Sequence, residues 1–155
     1  MIGDCCFDPS LYYDDQYQVW VRREGDGTVT IGMTDLSQAI AGRILHCRIR
    51  KVGTLRELGR PAATLESGKW AGPVPNPLTG TIVARNEVVL NDPGLLNRDP
   101  VGEGWIVRMQ PERLEEEILN LVTGETAAEG YKARMEREKI VCSSTRDPNL
   151  RELRK

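Results

Sequence analysis

The most informative part of the sequence is LESGKWAGPVPNPLTG, residues 65–80. A short strand-like run ends at Glu66, and a loop rich in glycine and proline leads from Lys69 into the next strand-like run, residues 81–86. Short runs of this kind separated by glycine-containing turns are typical of antiparallel hairpins. The spacing therefore predicts that Lys69 lies at or next to the tip of an exposed hairpin, where a lone lysine is usually only solvated.

The sequence before this hairpin predicts a second hairpin and a short helix. Residues 17–21 and 28–33 alternate in polarity on either side of a Gly-Asp-Gly turn, which is a hairpin pattern. Thr34 is a good N-cap for a helix over residues 35–41, and Gly42 is a common terminator. Further strands are predicted at residues 42–52, 63–67, 81–86 and 105–109. Many short strands with few helices indicate an all-β sandwich or barrel.

The chain changes character after Pro111. Residues 91–104 form a turn-rich loop, and helices are predicted at residues 112–121 and 129–139. This pattern divides the chain into an N-terminal segment at 1–16, a main domain at 17–110, a C-terminal helical extension at 111–142 and a flexible tail at 143–155.

Composition excludes several classes of function. The chain has 155 residues, few aromatic residues and a formal net charge of −2, so we expect no binding of nucleic acid. No apolar run approaches the roughly 18 residues of a membrane helix. The N-terminus is acidic and lacks the basic and apolar regions of a secretory signal. These features predict a cytoplasmic protein that does not associate with membranes.

The four cysteines, Cys5, Cys6, Cys47 and Cys142, are predicted to be free thiols, because disulfides are rare in the cytoplasm. Cys47 lies in a predicted strand and is expected to be buried. A redox relay through the adjacent Cys5 and Cys6 stays open beside two reduced thiols, and Cys142 could be exposed and oxidisable. The sequence has no C-x-x-C pair and one histidine, His46, so no metal site is predicted.

The residues around Lys69 resemble the lipoylation site of the glycine cleavage H proteins, in which Glu-Ser-x-Lys ends one strand. Glu66, Ser67, Gly68 and Lys69 match that pattern, and Gly80 lies at the family's distance beyond the lysine. Further matches run in order through about residues 17–120. They include TIGMTD at 30–35, AGRI at 41–44, KVG at 51–53, NE at 86–87, NDPGLLN at 91–97 and DPVGEGW at 99–105.

This resemblance implies a fold, a cofactor and a role. The fold would be mainly β, a lipoyl-domain-like sandwich-barrel hybrid of short antiparallel strands with a helix near 35–41 and C-terminal helices. Lipoate would be attached covalently to Lys69 by a lipoate ligase or the lipoyl synthesis enzymes. Glu66, Ser67, Gly68 and Trp70 would surround the cofactor. The protein would be a monomeric carrier that serves partner enzymes and has no catalytic residues of its own.

The loop after the lysine departs from the family. An H protein usually continues Ala-Ala-Ser-Asp-Leu-Tyr-Ser-Pro, whereas residues 70–77 read WAGPVPNP. This loop, with the Tyr-Tyr-Asp at 12–14 and the C-terminal extension, resembles the lipoate-binding proteins that work with heterodisulfide-reductase-like complexes in sulfur oxidation. We therefore place a carrier of sulfur intermediates first and the glycine-cleavage aminomethyl carrier second. A module that kept the fold without lipoate is the third hypothesis.

The tryptophans allow different interpretations. Trp70 could shield the dithiolane or bind a partner, or it could simply pack beneath the loop. Trp20 and Trp105 lie in predicted strands and are expected in the core. Glu66 is interpreted as a recognition residue for the ligase or as a solubilising residue of the hairpin, and His46 as structural.

Overall fold

The structure, a computed structural model, describes residues 1–146. Its strands are β1 Tyr12–Asp14, β2 Val19–Arg23, β3 Val29–Met33, β4 Ile44–Ile49, β5 Leu55–Arg56, β6 Pro61–Ser67, β7 Ala71–Pro75, β8 Gly80–Arg85, β9 Val107–Pro111 and β10 Val122–Thr123. Its helices are α1 Asp35–Ala41, α2 Glu87–Asn91, α3 Leu95–Arg98, α4 Leu114–Glu117, α5 Gly124–Glu138 and α6 Ser143–Arg146, and a 3-10 turn, Ile118–Asn120, follows α4. Within this part of the chain, every helix is too short or too polar to cross a membrane.

The strands form two antiparallel sheets. The larger sheet has the order β10-β1-β2-β3-β9-β8-β5, and the smaller sheet has the order β4-β6-β7. One hydrophobic core contains buried residues of both sheets, from Val21 and Ile31 in the larger to Ile49 and Leu65 in the smaller. The predicted mainly-β sandwich of short antiparallel strands is therefore confirmed.

The first hairpin and the helix after it form as predicted. Trp20 pairs with Gly32 across β2 and β3, and a Cβ on Gly32 would lie 2.5 Å from the indole ring. The absence of that Cβ lets Trp20 be fully buried, with its Nε1 donating to the Pro100 carbonyl at 3.0 Å. Thr34 caps α1 by accepting a hydrogen bond from the Ser37 N–H. The core prediction for Trp20 is thus confirmed.

Strand β4 does not alternate as its sequence suggests. Its pairing with β6 shifts register between Ile44 and His46, so that Leu45 and His46 are both exposed. Such a β-bulge inserts one residue and moves every following side chain to the other face. Ile44 therefore joins Cys47 and Ile49 on the core side, and the predicted burial of Cys47 is confirmed.

The C-terminal helices differ from the predicted ones. Pro111 ends β9 instead of opening a helix, because Gly80 pairs with it and the Glu112 N–H donates to the Thr79 carbonyl. This ladder keeps the chain extended, and α4 then covers only four residues. Gly124, predicted to follow a helix end, is the first residue of α5, which starts five residues earlier than expected.

The prediction of four free thiols is wrong for two of them. Cys5 and Cys142 form a disulfide, with their Cα atoms 5.2 Å apart and a sequence separation of 137. The sequence could not reveal this pair, because only the return of α5 toward the N-terminal segment brings Cys142 beside Cys5. Cys6 and Cys47 are free.

Residues 143–146, where the predicted flexible tail begins, form α6 in the structure. The Asp4 carboxylate accepts hydrogen bonds from the Cys142 and Ser143 N–H groups, and Arg146 forms an ion pair with Asp35 of α1. The rest of the predicted tail, residues 147–155, lies outside the described residues.

Candidate functional site

The hairpin of β6 and β7 places three residues, Gly68, Lys69 and Trp70, at its tip. The Ser67 N–H donates to the Trp70 carbonyl at 2.7 Å and closes the turn. The Ser67 hydroxyl accepts from the N–H groups of Lys69 at 3.3 Å and Trp70 at 3.0 Å and donates to the Trp70 carbonyl at 3.2 Å. A side chain that competes with solvent for backbone groups in this way shapes a local turn. Ser67 is thus the residue that holds the tip.

Glu66 and Gly68, the residues of the predicted motif on either side of Ser67, contribute less than Ser67 to the geometry of the turn. Glu66 is exposed and pairs across the sheet with His46, on the outer face rather than around the lysine. A Cβ on Gly68 would meet no heavy atom within 4 Å, and its φ is not positive. The backbone therefore does not require glycine at position 68.

Lys69 is exposed, and its side chain lies against the end of α1. A Cβ built on Gly42 would be 2.8 Å from Lys69 Cε and 3.6 Å from Nζ. Gly42 also has φ of +87°, a conformation that side chains rarely adopt. The sequence identified Gly42 as a helix terminator, but its contact with Lys69 depends on how α1 packs beside the hairpin.

Trp70 is 39% exposed, and its ring covers Gly72, where a Cβ would lie 2.5 Å from it. The ring forms one wall of a cleft of about 180 Å³ beside the tip. Ile40 of α1, Tyr17 of the turn between β1 and β2, and Pro73 of β7 also line this cleft. A mainly apolar cleft next to an exposed lysine could receive a non-polar group attached to that lysine.

A buried hydrogen-bond network supports the backbone at Gly42. Asn97 of α3 donates to the Gly42 carbonyl at 2.9 Å and to the Gln38 side-chain carbonyl at 2.9 Å, and it accepts from the Ile44 N–H. Gln38 in turn donates to Asp35 at 2.8 Å and to the Cys142 carbonyl at 3.1 Å. The network therefore links the surroundings of Lys69 to the C-terminal extension.

Asp35 is the charged member of this network. Burial raises the pKa of the Asp35 carboxyl, whereas the Cys6 N–H, Arg146 and Gln38 favour its ionised form. The aromatic ring of Tyr131 closes the same region, and its hydroxyl donates to the Cys6 carbonyl at 2.7 Å. Cys6 is thus held between α1 and α5, and Cys5 beside it is fully buried in the disulfide.

The chemistry of the site is that of an attachment point. Among residues 1–146, no carboxylate lies within 4.0 Å of the Lys69 ammonium, so the amine is not held in an ion pair. Such an amine can be acylated, which removes its charge. The described residues contain one group with the spacing of metal ligands, Asp4, Cys5 and Cys142, but its two sulfur atoms form the disulfide.

Comparison with known proteins identifies close relatives. Residues 11–134 match the family model described as "Glycine cleavage H-protein". "Glycine cleavage system H protein 2" of Aquifex aeolicus is 48% identical over 142 residues, which cover 92% of this chain and 88% of that protein. "Probable glycine cleavage system H protein 2" of Sulfolobus acidocaldarius is 45% identical over 142 residues, covering 90% of this chain and 95% of that protein.

A solved structure extends the likeness to the fold. The crystal structure of a glycine cleavage system H protein from Mycobacterium marinum has a TM-score of 0.69 and 25% identity to this chain, and the match covers 81% of this chain and 98% of that one. The family model includes the Lys69 hairpin but neither Cys5 nor Cys142. The disulfide thus lies in the segments that this chain has beyond the family model.

Proposed function

The chain belongs to the glycine cleavage H-protein family, and from this premise we propose that Lys69 is its lipoylated residue. Proteins of this family carry lipoate covalently on a lysine and are non-catalytic carriers for partner enzymes. The observation that carries the proposal is the exposed Lys69 at a hairpin tip held by Ser67, with no carboxylate of the described residues paired to its ammonium. Glu66 and Gly68 do not stabilise the turn, and we propose that the lipoate ligase recognises them.

A lipoyl amide on Lys69 would act as a swinging arm. About a dozen bonds separate the lysine Cα from the dithiolane, a reach on the order of 14 Å. The dithiolane supplies the disulfide/dithiol chemistry, and the protein supplies position and recognition. The cleft beside Trp70 is within that reach and offers the dithiolane a partly apolar resting place.

The attachment is tested by Lys69→Arg, which keeps the charge but cannot form the amide. After incubation with lipoate, ATP and a lipoate ligase, the wild type should gain roughly 188 Da and the variant nothing. Lys132→Arg, an exposed lysine on α5, is the matched control and should gain the same mass as the wild type. An addition to the Lys69→Arg protein would show that another lysine is modified. No addition to the wild type would support the unlipoylated interaction module.

For the cargo, the comparisons favour the glycine-cleavage alternative over the sulfur carrier that the loop sequence suggested. The relatives are named glycine cleavage system H proteins, and sulfur oxidation finds no support among them. We therefore propose that the arm carries the aminomethyl group between the glycine-cleavage enzymes. Lipoate ligase is the further partner this function requires.

The second candidate function is carriage of sulfur intermediates for a heterodisulfide-reductase-like complex. The side of the cleft formed by Trp70 and β7 favours it. Residues 71–75 on that side form a strand with two prolines, and Trp70 covers it. Proline restricts the backbone, so this surface is preset rather than shaped by a partner. Carriers of one fold must differ at such surfaces to select different enzymes.

The two candidates are separated by the glycine–bicarbonate exchange assay with lipoylated protein. The aminomethyl carrier should support exchange at a rate comparable to that of an authentic H protein. The sulfur carrier should support little exchange, and its reduced, dithiol form should gain about 32 Da per sulfur atom when offered a sulfane-sulfur donor, which transfers a zero-valent sulfur to the thiolate. In that case, replacing residues 70–77 by Ala-Ala-Ser-Asp-Leu-Tyr-Ser-Pro should restore part of the exchange activity.

A further inference from the structure

Positive charge is concentrated on one segment of the chain. Residues 43–60 contain six arginine and lysine residues and a single carboxylate, Glu57, in a chain whose formal net charge is −2. The six cations are Arg43, Arg48, Arg50, Lys51, Arg56 and Arg60. The rest of the chain therefore carries a net negative charge. Positive and negative residues are otherwise interspersed along the sequence.

The fold gathers most of these cations on one surface. Arg48 pairs with Thr64 at the centre of the outer face of the small sheet, and the Arg50 N–H donates to the Ala62 carbonyl. Arg56 Nε donates to the Pro61 carbonyl at 3.0 Å, next to Arg60 in sequence. The pKa of Arg56 is lowered by partial burial and then by the nearby charges of Arg50 and Arg60. Like charges thus face one another across the start of β6.

These cations lack the partners that other arginines of the protein have. Within residues 1–146, no carboxylate lies within 4.0 Å of any of the six. Elsewhere, ion pairs hold Arg22, Arg23, Arg85, Arg98, Arg113, Arg134 and Arg146. The surface therefore presents unneutralised charge to a ligand.

Arg48 lies on the same small sheet as the Lys69 hairpin, and the other cations lie around the start of β6, with Arg56 on the neighbouring β5 of the larger sheet. β6 runs from the charged region to the tip: Thr64, the partner of Arg48, is five residues before Lys69, and Arg60 is nine residues before it. At about 3.3 Å per residue, these separations are roughly 16 Å and 30 Å along the strand. A large partner resting on the outer face would therefore also reach the tip.

The chemistry of the surface fits a protein better than a polynucleotide. Val52, Leu55 and Leu58 lie among the cations and are 56%, 53% and 45% exposed. Apolar side chains mixed with arginine are typical of protein interfaces. Residues 43–64 contain no phenylalanine, tyrosine or tryptophan on which a base could stack.

We propose that a cationic face, formed by Arg48, Arg50, Lys51, Arg56 and Arg60, is the docking surface for an acidic region of the enzyme that exchanges groups with the arm. This inference rests on the proposed function of Lys69 for the identity of the partner, but the charge complementarity can be measured without lipoate. Docking through exposed charges should depend strongly on salt, because screening lengths are about 10 Å at 0.1 M ionic strength.

The variant Arg50→Glu/Arg60→Glu tests the cationic face, and Lys132→Glu/Arg137→Glu on α5 is the control with the same change of net charge. All four side chains are exposed. In the exchange assay with lipoylated carrier and the glycine-cleavage decarboxylase, the KM for the first variant should rise at least tenfold, with kcat within twofold. The control should stay within twofold for both. Equal effects of the two variants would overturn the proposal.

A second measurement separates this inference from the proposed function. Unlipoylated wild-type protein should bind fluorescein-labelled poly-L-glutamate at 20 mM NaCl, with affinity lost at 300 mM NaCl. Binding should weaken at least tenfold in Arg50→Glu/Arg60→Glu, and in the milder Arg50→Gln/Arg60→Gln if the first does not fold, but not in the α5 control. If this charge-dependent binding of poly-L-glutamate is seen but Lys69 is not lipoylated by the ligase, only the proposed function is overturned. Absent binding of poly-L-glutamate, or tighter binding of a labelled 20-mer RNA, would overturn the docking proposal itself.

Discussion

Ser67 shows how one side chain can decide the geometry of an attachment point. Its hydroxyl makes three hydrogen bonds with the backbone of the two residues that follow Gly68, and its side chain is nearly buried. Glu66 and Gly68, which the sequence motif ranks equally, make no such contribution. The motif therefore contains one residue that shapes the turn, Ser67, and two residues, Glu66 and Gly68, whose proposed role is recognition by a partner enzyme.

Ser67→Ala should leave the fold intact and slow lipoylation. Loss of the hydroxyl removes the bonds to the Lys69 and Trp70 N–H groups, which water can replace, so the free energy of unfolding should fall by about 1 kcal/mol. A less ordered tip should lower kcat/KM of the ligase by about tenfold. Initial rates of lipoylation and urea unfolding measure the two effects, and Ser67→Thr should restore both in part. Wild-type rates in Ser67→Ala would show that the tip needs no such support.

At the scale of the element, the β-bulge in β4 determines both which side chains are buried in the core and which face outward. It turns Ile44, Cys47 and Ile49 toward the core and leaves Arg48 on the outer face. Within residues 1–146, no charged group hydrogen-bonds to the buried Cys47 thiol to stabilise a thiolate. Burial therefore raises the pKa of its thiol from 9.0 to about 12.

A raised thiol pKa predicts loss of stability at alkaline pH. The unfolded chain releases the Cys47 proton first, so its contribution is fully present below pH 9 and is lost as pH rises toward 12. The free energy of unfolding should fall by about 1 kcal/mol between pH 9 and 10 from this group. Urea unfolding at pH 7, 9 and 10 measures the loss.

Cys47→Ala is the control for this titration. It should be less stable than the wild type at neutral pH, because it leaves a small cavity, but its stability should change less between pH 9 and 10. An equal pH dependence in the two proteins would mean that Cys47 titrates normally.

At the scale of the whole molecule, the disulfide ties the two ends of the described chain together over α1. Cys5 and Cys142 close a loop of 137 residues, and Asp4 and Gln38 bond to the backbone beside Cys142. Closing so long a loop stabilises a fold by up to about 5 kcal/mol, mainly by restricting the unfolded chain. The extension beyond the family model is thus part of one cooperative structure.

Alkylation with iodoacetamide tests the disulfide. Without reductant, the unfolded protein should gain two adducts, on Cys6 and Cys47, and after reduction it should gain four. Cys5→Ser/Cys142→Ser should fold but lose on the order of 10 °C in Tm. Four adducts without reductant would restore the original prediction of four free thiols.

The sequence alone supported much of the fold. The alternation of β2 and β3, the N-cap Thr34 and the terminator Gly42 are local signals, because each acts within a few residues of where it stands. The turn at Lys69 is local in the same way, but the prediction of its second strand was wrong: a loop was expected between Lys69 and residues 81–86, whereas Ala71–Pro75 form β7 and pair with β6. The short elements β10 and α3 escaped prediction, because β10 pairs with β1 and α3 packs against α1 and α6, all of them far away in the chain.

The family, the antiparallel sandwich and the place of Lys69 on a turn could all be inferred without coordinates, because local spacing and ordered motifs encode them. The pairing of Cys5 with Cys142, the contact of Gly42 with Lys69 and the gathering of cations on one face become visible only in three dimensions. Each of these features depends on contacts between residues that are far apart in the sequence. Which distant side chains meet is set by how sheets and helices pack in three dimensions, and no local pattern records that arrangement.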